Sequence, residues 1–326
     1  MNKQMGANLD MMVSKVFSGL NVNALKFLLP LWLVPLTGAA VRCTFGAVAF
    51  WVIGLFMKPD PITRQQKLGL LLLGALGLYG FMFLYLMGLS MTTPISSSIF
   101  ASLEPIWVFL MMVVFYKQHA TFMKVLGILI GLGGALLCIL TQKSSDLASN
   151  ALLGNALCLG SSVCYAVFLV AGKRFLRSVG VVTMLKYTFT GAAIVSLIVL
   201  PFDGGIRGNL FSLPFHWLPF GVLMFVLCIP TVFSYLLVPI GLKYLSATVV
   251  AIYGYLILIV ATIVSYILGQ DRFDWISIVA ILMIVASVYF VEIANNKDKK
   301  PVPPFAGTGK ADGVIPDISA GIHANR

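Results

Sequence analysis

The feature that most constrains this chain is a succession of apolar runs, each about as long as a bilayer is thick. They lie approximately at 9–29, 34–56, 67–89, 95–116, 122–141, 152–172, 180–201, 217–239, 245–268 and 275–293. A helix needs about 20 apolar residues to cross a hydrocarbon core of roughly 30 Å. Inside lipid every backbone polar group must be satisfied within the protein, which leaves helices or closed barrels. Runs twice the length of a barrel strand select the helix. The expected fold is therefore an all-α membrane protein with ten transmembrane helices. Composition agrees: 60% of residues are hydrophobic and 10% charged, whereas soluble domains have about half and a quarter.

Lys and Arg in the short loops set the orientation, because cytoplasmic loops hold the excess of positive charge. With the N-terminus inside, the inner loops carry Lys58, Arg64 and Lys67; Lys117 and Lys124; Lys173, Arg174 and Arg177; and Lys243. The outer loops carry Lys143, Arg207 and Arg272, diluted by Asp146, Asp203, Asp271 and Asp274. Both termini are then cytoplasmic, which agrees with an even number of spans. The first apolar run has no cleavage site of the Ala-x-Ala kind, so the first helix is expected to serve as the address. After the tenth run, NNKDKK reads as a basic anchor at the lipid surface. The Pro/Gly-rich tail beyond it has no periodicity and is expected to be unstructured.

Several classes are disfavoured. The net charge of +11 is scattered in small clusters between apolar runs, which is not the single patch that nucleic acid requires. The five cysteines all sit inside apolar runs, and His119, His216 and His323 are isolated. No CxxC pair or His/Cys cluster has metal spacing, so neither a metal nor a cofactor is expected. No GxxxxGK[ST] loop is present, which argues against ATP-driven pumping by this chain alone.

The two halves resemble each other. VRCTFGA from Val41 overlays LKYTFTG from Leu185, setting Arg42 opposite Lys186. MGLSMTTPISSSIFASLEPIWVF overlays IGLKYLSATVVAIYGYLILIVAT, setting Gly88-Leu89 opposite Gly241-Leu242. Five spans is an odd number, so the second half enters the membrane upside down. Inverted repeats of this kind are common in secondary transporters, whose substrate site lies near the midplane between the repeats. The expected organisation is a first repeat at 1–142, a second at 143–294 and a cytoplasmic tail at 295–326.

With these residues in view, the chain resembles the drug/metabolite transporter superfamily, in its EamA-type ten-helix branch. The resemblance rests on Gly19-Leu20-Asn21 with Lys26 in the first span and Arg42 in the second. It continues through Thr93-Pro94 and Leu103-Glu104-Pro105 in the fourth span and Gly127, Gly131, Gly133 and Gly134 in the fifth. Ala247-Thr248, Ile252-Tyr253 and Ile259-Val260-Ala261 match the ninth. It covers about residues 9–293. It implies two five-helix repeats around a central cavity. It also implies a multi-pass transporter of a small metabolite, amino-acid-like or drug-like, often an exporter, in the bacterial inner (plasma) membrane. It further implies that the fifth and tenth spans form an outer, homodimerising side. The chain departs from the family in two places. Tyr116-Lys117-Gln118-His119 replaces a usual Gly-Glu pair, and Ile257-Leu258 stands opposite Glu104-Pro105 where Gln-Pro is usual.

Glu104 is the sharpest candidate. An ionised acid at a helix centre costs about 2.5–3.5 kcal/mol on insertion scales. It therefore needs a wet cavity, a substrate cation, a proton, or a buried mate such as Arg42. Pro105 cannot donate to the carbonyl of Ala101, so the helix is expected to kink there, and Pro230 is expected to kink the eighth span. Arg42 has the geometry to clamp a carboxylate or phosphate. Asn21 is a candidate ligand group, as are Trp107 and Tyr253 on the repeat-related fourth and ninth spans. Lys15 and Lys26 read as lysines reaching for the membrane surface. The expected partners are thus a small solute, the lipid bilayer and, through Glu104, protons. The rival reading is a polytopic protein without transport, such as a receptor, assembly factor or intramembrane enzyme. Enzyme chemistry is the weaker, because no histidine lies mid-span.

Overall fold

A computed structural model describes residues 3–57, 60–116, 122–141, 149–211, 215–245, 247–270 and 275–297. Among these residues the protein is all helical, with no strand. The polar tail, the basic run from 298 and the loop at 117–121 lie outside the described residues.

The helical rods, in chain order, begin with α1 (Lys3–Leu28), α2 (Pro35–Leu55) and α3 (Arg64–Met91). Next come α4, in halves α4a (Pro94–Ala101) and α4b (Glu104–Tyr116), then α5 (Phe122–Thr141), α6 (Ala151–Phe175) and α7 (Val181–Val199). Last are α8 (Trp217–Tyr244), α9 in halves α9a (Ala247–Ile252) and α9b (Tyr255–Ile267), and α10 (Trp275–Lys297). Seven of these segments are long and apolar enough to cross a membrane. Large apolar side chains face outward on many rods, including Val48, Leu76, Val114, Leu152, Ile198 and Leu282. Trp217, Phe202, Phe56 and Trp275 are exposed at rod ends, as interfacial aromatics are in membrane proteins. The inside-out pattern is what a lipid solvent selects.

Start signals are local. Thr63 and Gln66 form a reciprocal capping box at the head of α3. Thr93 accepts from the Ser96 N–H and Pro94 takes the first turn of α4a, where a missing N–H costs nothing. Asn150 caps α6 through the Leu153 N–H.

The halves repeat one another element by element. α3 and α8 are each 28 residues long, and each loosens to a π-helical turn midway, at Gly74–Tyr79 and Leu227–Ser234. α4 and α9 each break near the middle. Packing follows the same exchange: α1 lies on α8 and α9, and α6 lies on α3 and α4. Across the halves α2 meets α7, α4 meets α9 and α5 meets α10. Small residues allow the closest crossings. A Cβ on Gly131 would sit 2.6 Å from Ser287 Oγ, so that residue seats α5 on α10.

The break in α4 refines the expectation for Pro105. The turn falls at Ser102–Leu103, and α4b begins at Glu104, so Pro105 occupies the first turn of a new helix and does not interrupt an old one. The Leu103 N–H bonds back to Phe100 O and the Ile106 N–H to Leu103 O, tightening the corner. α9 turns the same corner without a proline. There Gly254 donates to Ala251 O at 2.8 Å and Ile257 donates to Gly254 O at 3.0 Å. Because α9a is two residues shorter than α4a, the register shifts. The residue that starts α9b, and so matches Glu104, is Tyr255, not Ile257 as the sequence overlay placed it.

Candidate functional site

Four polar residues in the middle of α1, at 14, 15, 18 and 21, share one face of the 3.6-residue helix. That face turns inward. Ser14, Lys15, Ser18 and Asn21 line an internal cavity with about 70 Å³ of water-accessible space. Arg42 from α2, Glu104 from α4b and Tyr165 from α6 complete its polar wall, and Pro230 and Tyr235 of α8 close another side. The cavity thus draws on both halves of the chain.

Lys15, Arg42 and Glu104 are each 4% exposed or less. Lys15 Nζ stands 3.9 Å from Glu104 Oε2, an ion pair longer than a direct hydrogen bond. The buried mate of Glu104 is therefore Lys15, and Arg42 is not within ion-pair distance of it. Lys15 does not reach for the surface, as the sequence suggested. It packs 5.3 Å over the Tyr165 ring, a cation–π contact. Glu104 also benefits from two helix ends. It opens α4b, and a Cβ on Gly254, at the head of α9b, would lie 3.8 Å from Glu104 Oε2. Helix N-termini carry partial positive charge, which favours a carboxylate there.

Arg42 is held from α8. Pro230 has no N–H to offer the carbonyl of Val226. Thr231 Oγ1 donates to that carbonyl at 2.8 Å and accepts from Arg42 Nε at 3.1 Å. A proline, a π-helical turn and a threonine together aim the guanidinium. Its repeat counterpart Lys186 has another role, 4.4 Å over the Trp51 ring.

Polar atoms of the cavity wall that have no hydrogen-bond partner among the described residues include Glu104 Oε1, Asn21 Oδ1 and Ser234 Oγ. Buried polar atoms normally have partners, and orphans grouped around a void indicate water or a ligand.

Of the residues singled out from sequence, Glu104, Arg42, Asn21 and Pro230 meet at this cavity. Pro105 shapes the turn beside it. Trp107 and Tyr253 are not in its lining. Trp107 Nε1 donates to Ser162 Oγ at 2.9 Å, joining α4b to α6, and Tyr253 packs against the hydrophobic core at the α9 turn. The serine stripe of α4a folds back on its own carbonyls: Ser97 and Ser98 donate to Pro94 O and Ser102 to Ser98 O. Asn23 joins helices, donating to Ala261 O at 3.2 Å. Lys15 is the charged cavity residue whose place the sequence does not reveal.

A wider groove of about 880 Å³ lies one turn further along α1, between α1, α8 and α9. Its walls are apolar, with Phe27, Trp217, Phe225 and Leu268, and Asn23, Lys26 and Gln270 add polar edges.

Long apolar helices around a buried, charged cavity define an integral membrane protein. The comparisons give that class a family. The model of the EamA-like transporter family matches residues 6–140 and again 152–293, so the chain belongs to that family. A protein of Bacillus subtilis (strain 168) named uncharacterized transporter YyaM is 26% identical over 276 residues, which is 83% of this chain and 88% of that one. An uncharacterized transporter of Archaeoglobus fulgidus is 25% identical over 251 residues, 77% of this chain and 83% of its own length. A solved crystal structure with 18% identity superposes at a TM-score of 0.63, covering 89% of this chain and 98% of that chain, which shows a shared fold.

Proposed function

We propose that this membrane transporter is a secondary transporter that moves a small organic metabolite across the plasma membrane, in the direction of export. In this reading ten helices form two inverted five-helix repeats with both termini in the cytoplasm, and the cavity opens alternately to the two sides. Lys15, Asn21, Arg42 and Glu104 form the substrate or coupling site. The observation that carries the reading is the buried Lys15–Glu104 pair beside Arg42, where broken α4 meets broken α9. Buried charge at such depth is costly and marks solute or proton pathways. Half-helix ends at a repeat interface are where transporters bind ions and substrates. The water-accessible space is far below the roughly 300 Å³ of a small-ligand pocket, which fits a closed form that must open to load.

The test is counterflow of labelled organic solutes in proteoliposomes, with and without a pH gradient. Specific flux that is lost in Glu104→Gln or Arg42→Ala supports the reading. A broad panel with no flux above protein-free liposomes sinks it. Proton coupling through Glu104 fails if Glu104→Gln still concentrates solute against a pH gradient.

A further inference from the structure

Arg42 has a charge that nothing in the cavity balances. Lys15 faces Glu104 at 3.9 Å, but no carboxylate among the described residues lies within 4.0 Å of the guanidinium. A guanidinium has five N–H donors in a fixed fork. Only Nε is engaged among the described residues, and its acceptor is the neutral hydroxyl of Thr231. The side chain is 2% exposed and lines the void. A buried cation with unused donors is unfavourable unless an anion completes it. Counting Lys15, Arg42 and Glu104 as charged, the cavity is left with one positive charge in excess.

Resting on the reading of this cavity as the substrate site, we propose that its substrate is an organic monoanion. A carboxylate-sized head sits on the free donors of Arg42, and an apolar or aromatic body lies against Tyr85, Tyr165 and Tyr235. The fork of Arg42 matches two oxygens of one head group, the geometry that makes such pairs bidentate. Aromatic rings supply the body's surface. Phe81 packs against Tyr165 at 4.7 Å and against Tyr85 at 5.7 Å, and all three line the cavity. A monoanion brings the cavity to neutrality. An organic cation would meet two like charges, Lys15 and Arg42. An α-amino acid zwitterion would leave the excess charge in place, and its ammonium would have to displace Lys15 from Glu104. Discrimination of this kind comes as much from the repulsion of the wrong ligand as from attraction of the right one.

The test is direct binding to the purified full chain in detergent, by calorimetric titration and melting temperature. The probes share one body and differ in charge: 3-phenylpropionate, 3-phenylpropylamine, phenylalanine and 3-phenylpropanol, with sodium phosphate and sodium chloride as inorganic controls. The expected result is that 3-phenylpropionate binds at least about tenfold more tightly than every other probe. In Arg42→Gln that preference falls by about tenfold or more. The selectivity of the unmodified protein decides the matter if Arg42→Gln does not fold. Equal or tighter binding of the amine or the amino acid overturns the proposal. So does absence of binding by 3-phenylpropionate, or unchanged anion affinity in folded Arg42→Gln. Phosphate or chloride matching 3-phenylpropionate overturns the organic part. Binding is read without a membrane, so anion binding without flux leaves this proposal standing while transport fails. Flux of cations or zwitterions without anion binding does the reverse.

Discussion

Lys26 and Lys173 make the same pair of bonds in the two halves of the chain. Lys26 Nζ, from α1, donates to the carbonyls of Leu89 at 3.2 Å and Thr92 at 2.6 Å, at the end of α3. Lys173 Nζ, from α6, donates to the carbonyls of Leu242 and Leu245, at the end of α8. The acceptor pairs are themselves equivalent in the Gly88-Leu89 and Gly241-Leu242 overlay. The last carbonyls of a helix have no partner within it and carry partial negative charge, so an ammonium there satisfies both needs. The bond also ties the first helix of each half to its third.

Removing either lysine is therefore expected to destabilise the fold. Lys26→Met and Lys173→Met each forfeit a charged cap, an interaction of up to about 2 kcal/mol in partly buried geometries. The expected outcome is a lower melting temperature for each variant in detergent, with Lys26→Arg less affected than Lys26→Met. A Lys26→Met protein that melts with the parent would show that solvent or lipid caps those carbonyls equally well.

The Lys15–Glu104 pair is expected to show coupling. Breaking a buried ion pair by removing one partner strands the other charge and costs about 3–5 kcal/mol, whereas replacing both with apolar groups is often near neutral. Lys15→Met and Glu104→Leu should each lower the yield and melting temperature of monodisperse protein, and the double variant should recover a large part of both losses. Size-exclusion chromatography with thermal challenge reads this. Additive losses in the double variant would mean that the two groups act independently despite their 3.9 Å separation.

How far the sequence foretold these features depends on whether the signal was local. Pro105 and Glu104 announced the break in α4, because a ring without an N–H and an acid in an apolar run are each anomalous alone. The matching break in α9 has no proline and rests on Gly254, which looks like any other glycine in a membrane helix. Lys15 reads as a surface lysine because the apolar run begins only at about residue 9, whereas α1 begins at Lys3 and puts Lys15 at its middle. Its spacing with Ser14, Ser18 and Asn21 was the available clue, since a polar stripe on an apolar helix must face an interior. The partner of Glu104 was open to misassignment for another reason. Which cation meets it depends on how α1 and α2 pack against α4, and that is tertiary information. Trp107 is a candidate because it lies on the fourth span, which the repeat pairs with the ninth, yet its indole bonds to Ser162 Oγ and is not in the cavity lining.

Glycines at the crossing of α3 and α7 should be among the least replaceable residues in the fold. A Cβ on Gly74 would lie 1.8 Å from Thr188 O, and one on Gly191 would lie 2.1 Å from Leu71 O. Both atoms are backbone, so no rotamer relieves the clash, and the helices must part. Overpacking of this kind costs about 1–3 kcal/mol or more. Gly74→Ala and Gly191→Ala are expected to reduce folded yield sharply. Gly221→Ala is the control, since nothing lies within 4 Å of a Cβ at Gly221. Equal yields for all three would mean that α3 and α7 sit further apart than described.

Thr231 tests whether the site is held by a specific hydroxyl. Its Oγ1 donates to Val226 O across the π-helical turn at Pro230 and accepts from Arg42 Nε. Valine has nearly the same shape and can do neither. Thr231→Val therefore leaves the Nε–H of a buried guanidinium without its acceptor, a loss of about 1–3 kcal/mol. Thr231→Ser keeps the hydroxyl and should keep most of the stability. The distinguishing readout is solute flux normalised to folded protein. If Thr231 aims Arg42, the valine variant should lose flux by more than its lowered melting temperature explains, and serine should restore it. Were valine to reduce stability alone and leave normalised flux intact, the hydroxyl would be a helix repair at Pro230 with no part in positioning Arg42.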